Sequence, residues 1–215
     1  QALNLKAGIS FFKTEDIITF KNGIGDFDFF KVPSAECLNI PLLKKLLSFK
    51  KTVLVSTGGH DFADVVSGLS KFKEQISIFH CIANYPTKAG SQQLNVINHF
   101  KKNGFKSVGY SSHDEDYEAC VLAMSFGLDF LERHITYDKN ADGLDHSSSS
   151  TLKEFSQLVK FSKNIKYMLA DEKRYVNQGE KINMQNLGCG LYLRKNVRAG
   201  TVLKKHDLEI KAPRL

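Results

Sequence analysis

The sequence predicts an α/β fold: a β/α barrel of the TIM type that lacks its first two strands, followed by a partial small β module. Three observations predict it. Short β-prone runs recur at intervals of about 25 residues, segments with helical periodicity separate them, and polar side chains follow nearly every run. Regular strand–helix alternation implies right-handed crossovers and a parallel sheet, either doubly wound or closed as a barrel.

Six β-prone runs are predicted to be strands, because each is short and rich in β-branched or aromatic residues. They occupy residues 8–12, 28–32, 52–56, 76–81, 107–111 and 128–135. Helical periodicity covers residues 40–49, 62–72, 92–103, 116–126 and 152–169. Pro41 suits the first turn of the first of these helices, and Thr151 or a neighbouring serine is expected to cap the last.

The polar residues at the strand ends favour a barrel over a doubly wound sheet. All strand carboxyl ends of a β/α barrel open onto one face, whereas a doubly wound sheet concentrates ligand contacts at one switch point. No GxGxxG motif follows the first run, which further weakens a dinucleotide fold. The side chains expected to share one pocket are Lys31, Ser34, Glu36, Ser56, Thr57, His80, Asn84, Tyr85, Ser111, His113, Glu132 and His134.

The pattern of residue types along the chain changes near residue 175. We expect the barrel to occupy residues 1–172, a polar linker to follow over residues 173–184, and the small β module to fill residues 185–215. That final segment has short β-prone runs separated by an Arg-Ala-Gly turn.

Composition limits the classes of function. The 215 residues are 42% hydrophobic, enough for a real core, and 30 Lys and Arg against 23 Asp and Glu give a net charge of +7. The basic pairs are dispersed, so we expect solvated surface with a mild attraction for anions and no nucleic-acid partner. Four cysteines without CxxC spacing are expected to be reduced, buried thiols. With no apolar stretch near 18 residues and no signal-like start, the expectation is a cytoplasmic protein without a membrane segment.

Two histidines indicate metal chemistry. His113 and His134 each end a short apolar run and have a carboxylate nearby. Two neutral imidazoles brought together from neighbouring strand ends can hold a divalent metal, if water or substrate completes the coordination sphere. Each histidine alone is also compatible with a hydrogen-bonded structural role, which is the role expected for His80. The remaining candidates His60, His99 and His206 are expected at the surface.

Four motifs carry a resemblance to a known family. The segments HCIANYPT, VGYSSHD, LERHITYDKNADGLDH and YLRKNVRAGTVL resemble, in that order, the sialic acid synthase family. Its enzymes join phosphoenolpyruvate to an N-acetylated amino sugar, such as N-acetylmannosamine, with release of phosphate, and make sialic, legionaminic and pseudaminic acids. The resemblance implies a β/α barrel, a C-terminal antifreeze-like (SAF) domain and a homodimer.

The same resemblance implies roles for individual residues. His113 and His134 match the ligands of a divalent metal, usually Mn²⁺, with Mg²⁺ or Co²⁺ left open. Lys31 and Ser34, with Ser56 and Ser111, match the groups that hold phosphoenolpyruvate. The remaining matches, to groups that face the sugar or transfer protons, are Glu36, Glu132, Asn84, Tyr85 and Asp145; which carboxylate moves the proton stays open.

Three departures from the family leave alternatives open. The family's first two strands would precede Gln1, Ala83 stands where many members carry Asn or Ser, and Cys189 stands near the position of a family arginine. One rival hypothesis is a degenerate, non-catalytic relative that serves in binding or assembly. Another is a phosphoenolpyruvate aldol-type synthase for a phosphorylated sugar, which would need an additional basic phosphate site.

Overall fold

The computed structural model describes residues 4–20, 23–169 and 173–214. It divides into two compact units, Gln1–Leu169 and Ala170–Leu215. All six predicted strands and all five predicted helices are present in the first unit, most of them shorter than the sequence pattern suggests. One short helix, Thr14–Thr19, and one two-residue strand, Ser150–Thr151, are additions to the prediction.

The strands of the main sheet of the first unit are β1 (Gly8–Ser10), β2 (Phe29–Val32), β3 (Thr52–Ser56), β4 (Ser77–Cys81), β5 (Ser107–Ser112) and β6 (Phe130–Arg133). Its helices are α1 (Thr14–Thr19), α2 (Ile40–Leu47), α3 (Phe62–Gly68), α4 (Val96–Lys102), α5 (Glu118–Met124) and α6 (Leu152–Leu169). Asn39 begins α2 by accepting a hydrogen bond from the Leu42 backbone N–H at 3.1 Å, with Pro41 in the first turn.

The six strands form one parallel sheet in the order β1-β2-β3-β4-β5-β6. This order has no reversal, so the sheet has no topological switch point of the doubly wound kind. Lys31 on β2 forms an ion pair with Glu132 on β6. Four strand spacings would separate these positions by about 19 Å in a flat sheet. Two side chains cannot span that distance, so the sheet is curled into a half-barrel.

The half-barrel does not close within the described residues. There, β1 pairs only with β2, and β6 pairs only with β5. The predicted barrel is therefore confirmed as a curled parallel sheet, while a closed barrel is not seen in this part of the chain.

The hydrophobic core lies between the outer face of the sheet and the helices. Alternate strand residues point outward into it, because successive side chains of a strand face opposite sides. Buried strand residues that belong to the core are Phe30, Val32, Val53, Val55, Ile78, Val108 and Tyr110. Helix residues that meet them include Leu42, Leu43, Leu46, Val65, Ile97, Phe100, Ala123 and Leu158. The other side of each strand is thus left to face the interior of the curl.

A second, small ladder holds the chain after β6. Strand β7 (Ile135–Thr136) pairs in parallel with β8 (Ser150–Thr151), which directly precedes α6. The ends of the loop over residues 137–149 are therefore held side by side.

The second unit contains α7 (Gln178–Leu187), which Asn177 and Glu180 begin with a capping box, and an antiparallel pair of β9 (Gly190–Leu193) with β10 (Leu208–Lys211). The polar stretch expected as a linker over residues 173–184 therefore includes part of a helix. These elements do not by themselves identify an antifreeze-like module, which stays a prediction. Cys189 is exposed, so the expectation of four buried thiols is wrong at this position and confirmed for Cys37, Cys81 and Cys120.

Among the helices of the described residues, none has both the length and the apolar character needed to cross a bilayer.

Candidate functional site

A cavity of about 500 Å³ lies at the carboxyl ends of the strands, inside the curl. Its lining combines cations, a carboxylate, hydroxyls, imidazoles and a thiol drawn from all six strands of the sheet and the segments that follow them. The lining residues are Ser10, Phe12, Lys31, Pro33, Ser34, Ala35, Ser56, Cys81, Ala83, Tyr85, Ser111, His113, Glu132, Arg133 and His134. The convergence of polar side chains that the sequence predicts is therefore present for eight of the expected residues, Lys31, Ser34, Ser56, Tyr85, Ser111, His113, Glu132 and His134.

Lys31 and Glu132 form the charged centre of the cavity. The Lys31 ammonium donates to Glu132 Oε1, and Ser111 Oγ donates to the same oxygen at 2.8 Å. Ser111 and Glu132 are direct neighbours across the β5–β6 ladder, whereas Lys31 reaches them across the curl. An ammonium held by one carboxylate in a half-open cavity can exchange that partner for an incoming anion.

Ser34 is held from the segment that follows β3. The Gly58 N–H donates to Ser34 Oγ at 3.1 Å, and His60 Nε2 lies 2.8 Å from the Ser34 carbonyl oxygen. A Cβ at Gly58 would lie 3.0 Å from both Ser34 Oγ and Ala83 Cβ, so glycine permits this close approach. From the sequence, His60 is expected to be a surface residue. Its side chain is instead half-buried and is hydrogen-bonded to the segment between β2 and α2.

The Ser56 hydroxyl is available to a ligand. Ser56 is 2% exposed and lines the cavity, yet its Oγ has no hydrogen-bond partner among the described residues. Buried hydroxyls in proteins almost always have a partner, so an unsatisfied one at a cavity wall indicates a position for a polar ligand atom.

The two imidazoles of His113 and His134 face one another across a short gap, with ring centroids 5.5 Å apart. His113 Nδ1 lies 2.9 Å from the Ile82 carbonyl oxygen, which selects the tautomer with a proton on Nδ1 and leaves Nε2 with a free lone pair. Burial is the main reason that the pKa of His113 is lowered from its ordinary value. The ring is therefore neutral near pH 7, the form that binds metals.

These two imidazoles fit part of a metal site. Across residues 4–20, 23–169 and 173–214, no three His, Cys, Asp or Glu side chains gather in the geometry of a metal centre. A backbone carbonyl orienting a ligating histidine through its other nitrogen, as Ile82 does for His113, is a recurring feature of metal sites. The described residues thus offer two nitrogen ligands, and the remaining positions are left for water, substrate or groups outside them.

Tyr85 covers the histidine pair. Its ring centroid lies 4.1 Å from that of His113 and 6.3 Å from that of His134. Partial burial, with the negative charges of Asp145 and Glu132, raises the pKa of the Tyr85 phenol, so the group stays protonated and can donate a hydrogen bond.

Five of the predicted residues lie outside the cavity lining, and two of them, Thr57 and His80, are bonded to backbone carbonyl oxygens, those of Phe79 at 2.9 Å and Gln92 at 2.6 Å. The Glu36 carboxylate accepts a hydrogen bond from the Asn39 side chain at 2.7 Å, beside the start of α2. The Asn84 carbonyl accepts from Thr87 Oγ1, and Ala83 lines the cavity in its place. Asp145 is exposed, and its backbone carbonyl accepts bonds from Ser148 and Ser149. The roles of Glu36, Asn84 and Asp145 stay predictions.

Four other residues that line the cavity are not predicted from the sequence. Ser10, Phe12, Cys81 and Arg133 line the cavity without having been predicted to do so. Strand alternation could have identified Cys81, since it follows Phe79 on the inward face. His80 faces outward and is buried, with Nε2 2.6 Å from the Gln92 carbonyl, which agrees with its expected structural role.

Fold and site together define a class: parallel β/α half-barrels with a lysine–glutamate ion pair and an imidazole pair in one cavity at the strand carboxyl ends. Residues 5–174 match the model of the NeuB family. The chain belongs to this family.

Curated relatives agree with this assignment. N,N'-diacetyllegionaminic acid synthase of Campylobacter jejuni is 26% identical over 97% of this chain and 65% of its own length. N-acetylneuraminate-9-phosphate synthase of Mus musculus is 28% identical over 85% of this chain and 52% of its own length. The chain therefore spans between about half and just under two thirds of the length of these two relatives.

A solved structure agrees in fold. The N-acetylneuraminic acid (sialic acid) synthetase of Leptospira borgpetersenii, crystallised with citrate, superimposes with a TM-score of 0.70 at 25% identity. The match covers 81% of this chain and 62% of that one.

Proposed function

We propose that this chain belongs to a nonulosonic acid synthase that condenses phosphoenolpyruvate with an N-acetylated amino sugar, such as N-acetylmannosamine, and releases phosphate. The observation that carries the proposal is the shared cavity. It places the Lys31 ammonium, the partnerless Ser56 hydroxyl and the His113–His134 pair around one volume. Relatives named as synthases of legionaminic acid and of N-acetylneuraminate-9-phosphate support the choice of reaction.

Phosphoenolpyruvate would bind at the Lys31 side of the cavity. It carries a phosphate and a carboxylate, which need a cation and several hydroxyl donors. Lys31 supplies the cation, and Ser34, Ser56 and Ser111 supply the donors. In the free protein Glu132 neutralises Lys31, and the arriving anion takes over the ammonium.

His113 and His134 would hold the divalent metal, which we propose to be Mn²⁺, with Mg²⁺ or Co²⁺ as alternatives. When bound, such an ion supplies Lewis-acid polarisation of the aldehyde oxygen of the open-chain sugar. The chain's own contribution is to keep the His113 imidazole neutral, to hold the two imidazoles close together, and to place Tyr85 over them as a hydrogen-bond donor.

The bond changes follow from the two substrates. The electron pair of the phosphoenolpyruvate C=C bond forms the new bond from its methylene carbon to the sugar aldehyde carbon, and the aldehyde oxygen takes up a proton and becomes a hydroxyl. Water adds at C2 with loss of a proton, and the resulting tetrahedral centre collapses to a ketone as the C2–O bond to phosphate breaks. Glu132, released from Lys31 by the bound anion, is placed to accept the proton from water. Glu36 is the second carboxylate proposed for proton transfer, and Asn84 and Asp145, with Tyr85, are proposed for the sugar side.

A phosphate-release assay with phosphoenolpyruvate, Mn²⁺ and N-acetylmannosamine tests the proposal. Lys31→Met should reduce phosphate release by 100-fold or more, roughly the effect of losing a charge-assisted contact of 3 kcal/mol. Lys44→Met, which removes an exposed lysine of α2, should leave the rate unchanged. A folded chain that releases no phosphate and binds no Mn²⁺ would instead support a non-catalytic binding or assembly role.

We further propose a cytoplasmic homodimer, on the strength of the family resemblance. Sedimentation of the purified chain at several concentrations would test the oligomeric state.

A further inference from the structure

We propose that Arg133 is a positioning residue that sets the separation of the His113 and His134 imidazoles. The inference rests on the proposed metal site only for its consequence, because the bracing contacts themselves are observed in the protein. Arg133 is 8% exposed and lies at the end of β6, directly before His134.

The Arg133 guanidinium donates hydrogen bonds to the residues directly before and after His113, which are Ser112 and Asp114. Arg133 Nη1 donates to Ser112 Oγ at 2.9 Å and to the Asp114 carbonyl oxygen at 2.6 Å. Because Arg133 is covalently joined to His134, these two bonds connect the backbone that carries one imidazole to the backbone that carries the other. The connection crosses from β5 to β6 at the point where both strands end.

A second set of bonds holds the His134 side. Arg133 Nε donates to Ser150 Oγ at 2.9 Å, and the Ser150 N–H donates to the His134 carbonyl oxygen at 2.8 Å. The guanidinium and the β8 backbone therefore enclose His134 in a closed ring of contacts. The His134 backbone cannot move away from Ser150 without breaking one of them.

His113 is held from its other side as well. The Thr87 N–H donates to the His113 carbonyl oxygen at 2.8 Å. Asp114 Oδ2 accepts from Tyr110 Oη at 2.7 Å and from Ser112 Oγ at 2.6 Å. Both residues that Arg133 Nη1 binds are thus themselves immobilised, so the guanidinium bonds to a rigid frame.

Arg133 is committed to the protein rather than to a ligand. Its Nε and Nη1 bonds use three of the five guanidinium donors, and Nη2 lies 3.4 Å from the Glu115 carbonyl oxygen. Within the described chain no carboxylate lies within ion-pair distance of it. A planar fork that binds several neutral oxygens at once sets orientation, which a lysine cannot reproduce.

The first test measures, without metal, whether the hydrogen bonds of Arg133 keep the two imidazole rings close together. In the metal-free full chain, nuclear Overhauser contacts between the ring protons of His113 and His134 should be visible, given ring centroids 5.5 Å apart. Arg133→Met and Arg133→Lys should weaken or abolish them. Val65→Ala, a core change on α3 far along the chain, is the control for general destabilisation and should retain them.

The second test measures Mn²⁺ affinity by calorimetry. Arg133→Met and Arg133→Lys should weaken binding roughly 10- to 100-fold, the usual effect of losing a group that orients metal ligands. Ser150→Ala, which removes only the Nε partner, should weaken it less, while Val65→Ala should not change it. Should Arg133→Met not fold, Ser112→Ala and Ser150→Ala remove the two ends of the brace one at a time.

The outcomes separate this inference from the proposed function. If the unsubstituted chain binds no Mn²⁺, the metal part of the proposed function fails. The ring-proton contacts then still test whether Arg133 holds the two imidazoles in place. Unchanged contacts between the two imidazole rings in Arg133→Met or Arg133→Lys would overturn the role of Arg133. If neither arginine variant folds, unchanged ring contacts in both Ser112→Ala and Ser150→Ala would overturn it.

Discussion

The buried imidazoles show how burial sets chemistry at the scale of single residues. Burial lowers the pKa of both His80 and His113, although each ring has a hydrogen-bonded backbone carbonyl that works in the opposite direction. His80 also stacks on Tyr110 at 5.8 Å, and the Asp114 charge partly offsets the effect of burial. Both histidines are therefore neutral in the folded protein near pH 7, one for packing and one for the cavity.

The lowered pKa values of the buried histidines make the free energy of unfolding depend on pH. A histidine whose folded pKa lies below its ordinary value of 6.5 binds fewer protons in the folded state than in the unfolded state. Its contribution is complete above pH 6.5 and is lost as the pH falls below that value towards the folded pKa. We expect the free energy of unfolding to decline on acidification, with His80 contributing up to about 1.4 kcal/mol per pH unit.

His80→Gln, which keeps a donor for the Gln92 carbonyl but cannot titrate, should make this decline shallower. Urea unfolding at several pH values between 7.5 and 5 measures it. An exposed-histidine variant, His206→Gln, should leave the slope as it is. Equal slopes for His80→Gln and the unsubstituted protein would contradict the prediction.

At the scale of elements, the inner face of the sheet is filled by an aromatic pair across a glycine. Phe79, Gly109 and Phe130 are in register on β4, β5 and β6. The two rings approach across Gly109, with centroids 6.3 Å apart. A Cβ at Gly109 would lie 2.5 Å from the Phe79 ring and 2.8 Å from the Phe130 carbonyl oxygen. Glycine is therefore required here by close packing.

Gly109→Ala should destabilise the protein by roughly 1–3 kcal/mol, because the backbone oxygen of β6 cannot move without disturbing the ladder. Gly25→Ala, where an added Cβ meets nothing within 4 Å, is the matched control and should change stability by less than about 0.5 kcal/mol. Thermal unfolding of the two variants side by side measures the difference. Similar stability in both would show that the sheet tolerates the methyl group.

The junction between segments gives a second prediction at this scale. His60, in the β3–α3 segment, holds the Ser34 carbonyl of the β2–α2 segment. On the proposed function, His60→Ala should raise KM for phosphoenolpyruvate roughly 2- to 10-fold, the value of one hydrogen bond, with a smaller effect on kcat. His60→Gln should recover part of the loss, and a KM unchanged in His60→Ala would contradict the prediction.

At the scale of the whole molecule, charge and curvature act together. The net charge of +7 is spread over the surface, while the cavity has Lys31 and Arg133 against the single carboxylate of Glu132. The curl of the sheet brings Lys31 and Glu132 within reach of one ligand, and Arg133, whose donors bind oxygens of the protein, adds positive charge nearby. The field at the cavity mouth should therefore attract an anionic substrate.

On the proposed function, raising NaCl from 20 to 300 mM should increase KM for phosphoenolpyruvate roughly two- to five-fold, because salt screens the attraction. The uncharged N-acetylated sugar provides an internal control, since its KM should stay constant. Equal effects on both substrates would indicate a general effect of salt on the protein.

The sequence by itself determined the order and type of the elements, since these depend on periodicities within a few residues: the six strands, five helices and strand-end polar groups of the first unit all follow from local pattern. Only the tertiary structure decided which of those groups share a cavity. Lys31 and Glu132, which are 101 positions apart in the sequence, meet because the sheet curls, while Glu36 and Asp145, equally well placed in the sequence, lie outside the cavity lining. The uses of His60 and Arg133 depend likewise on contacts between distant segments, which no local period encodes.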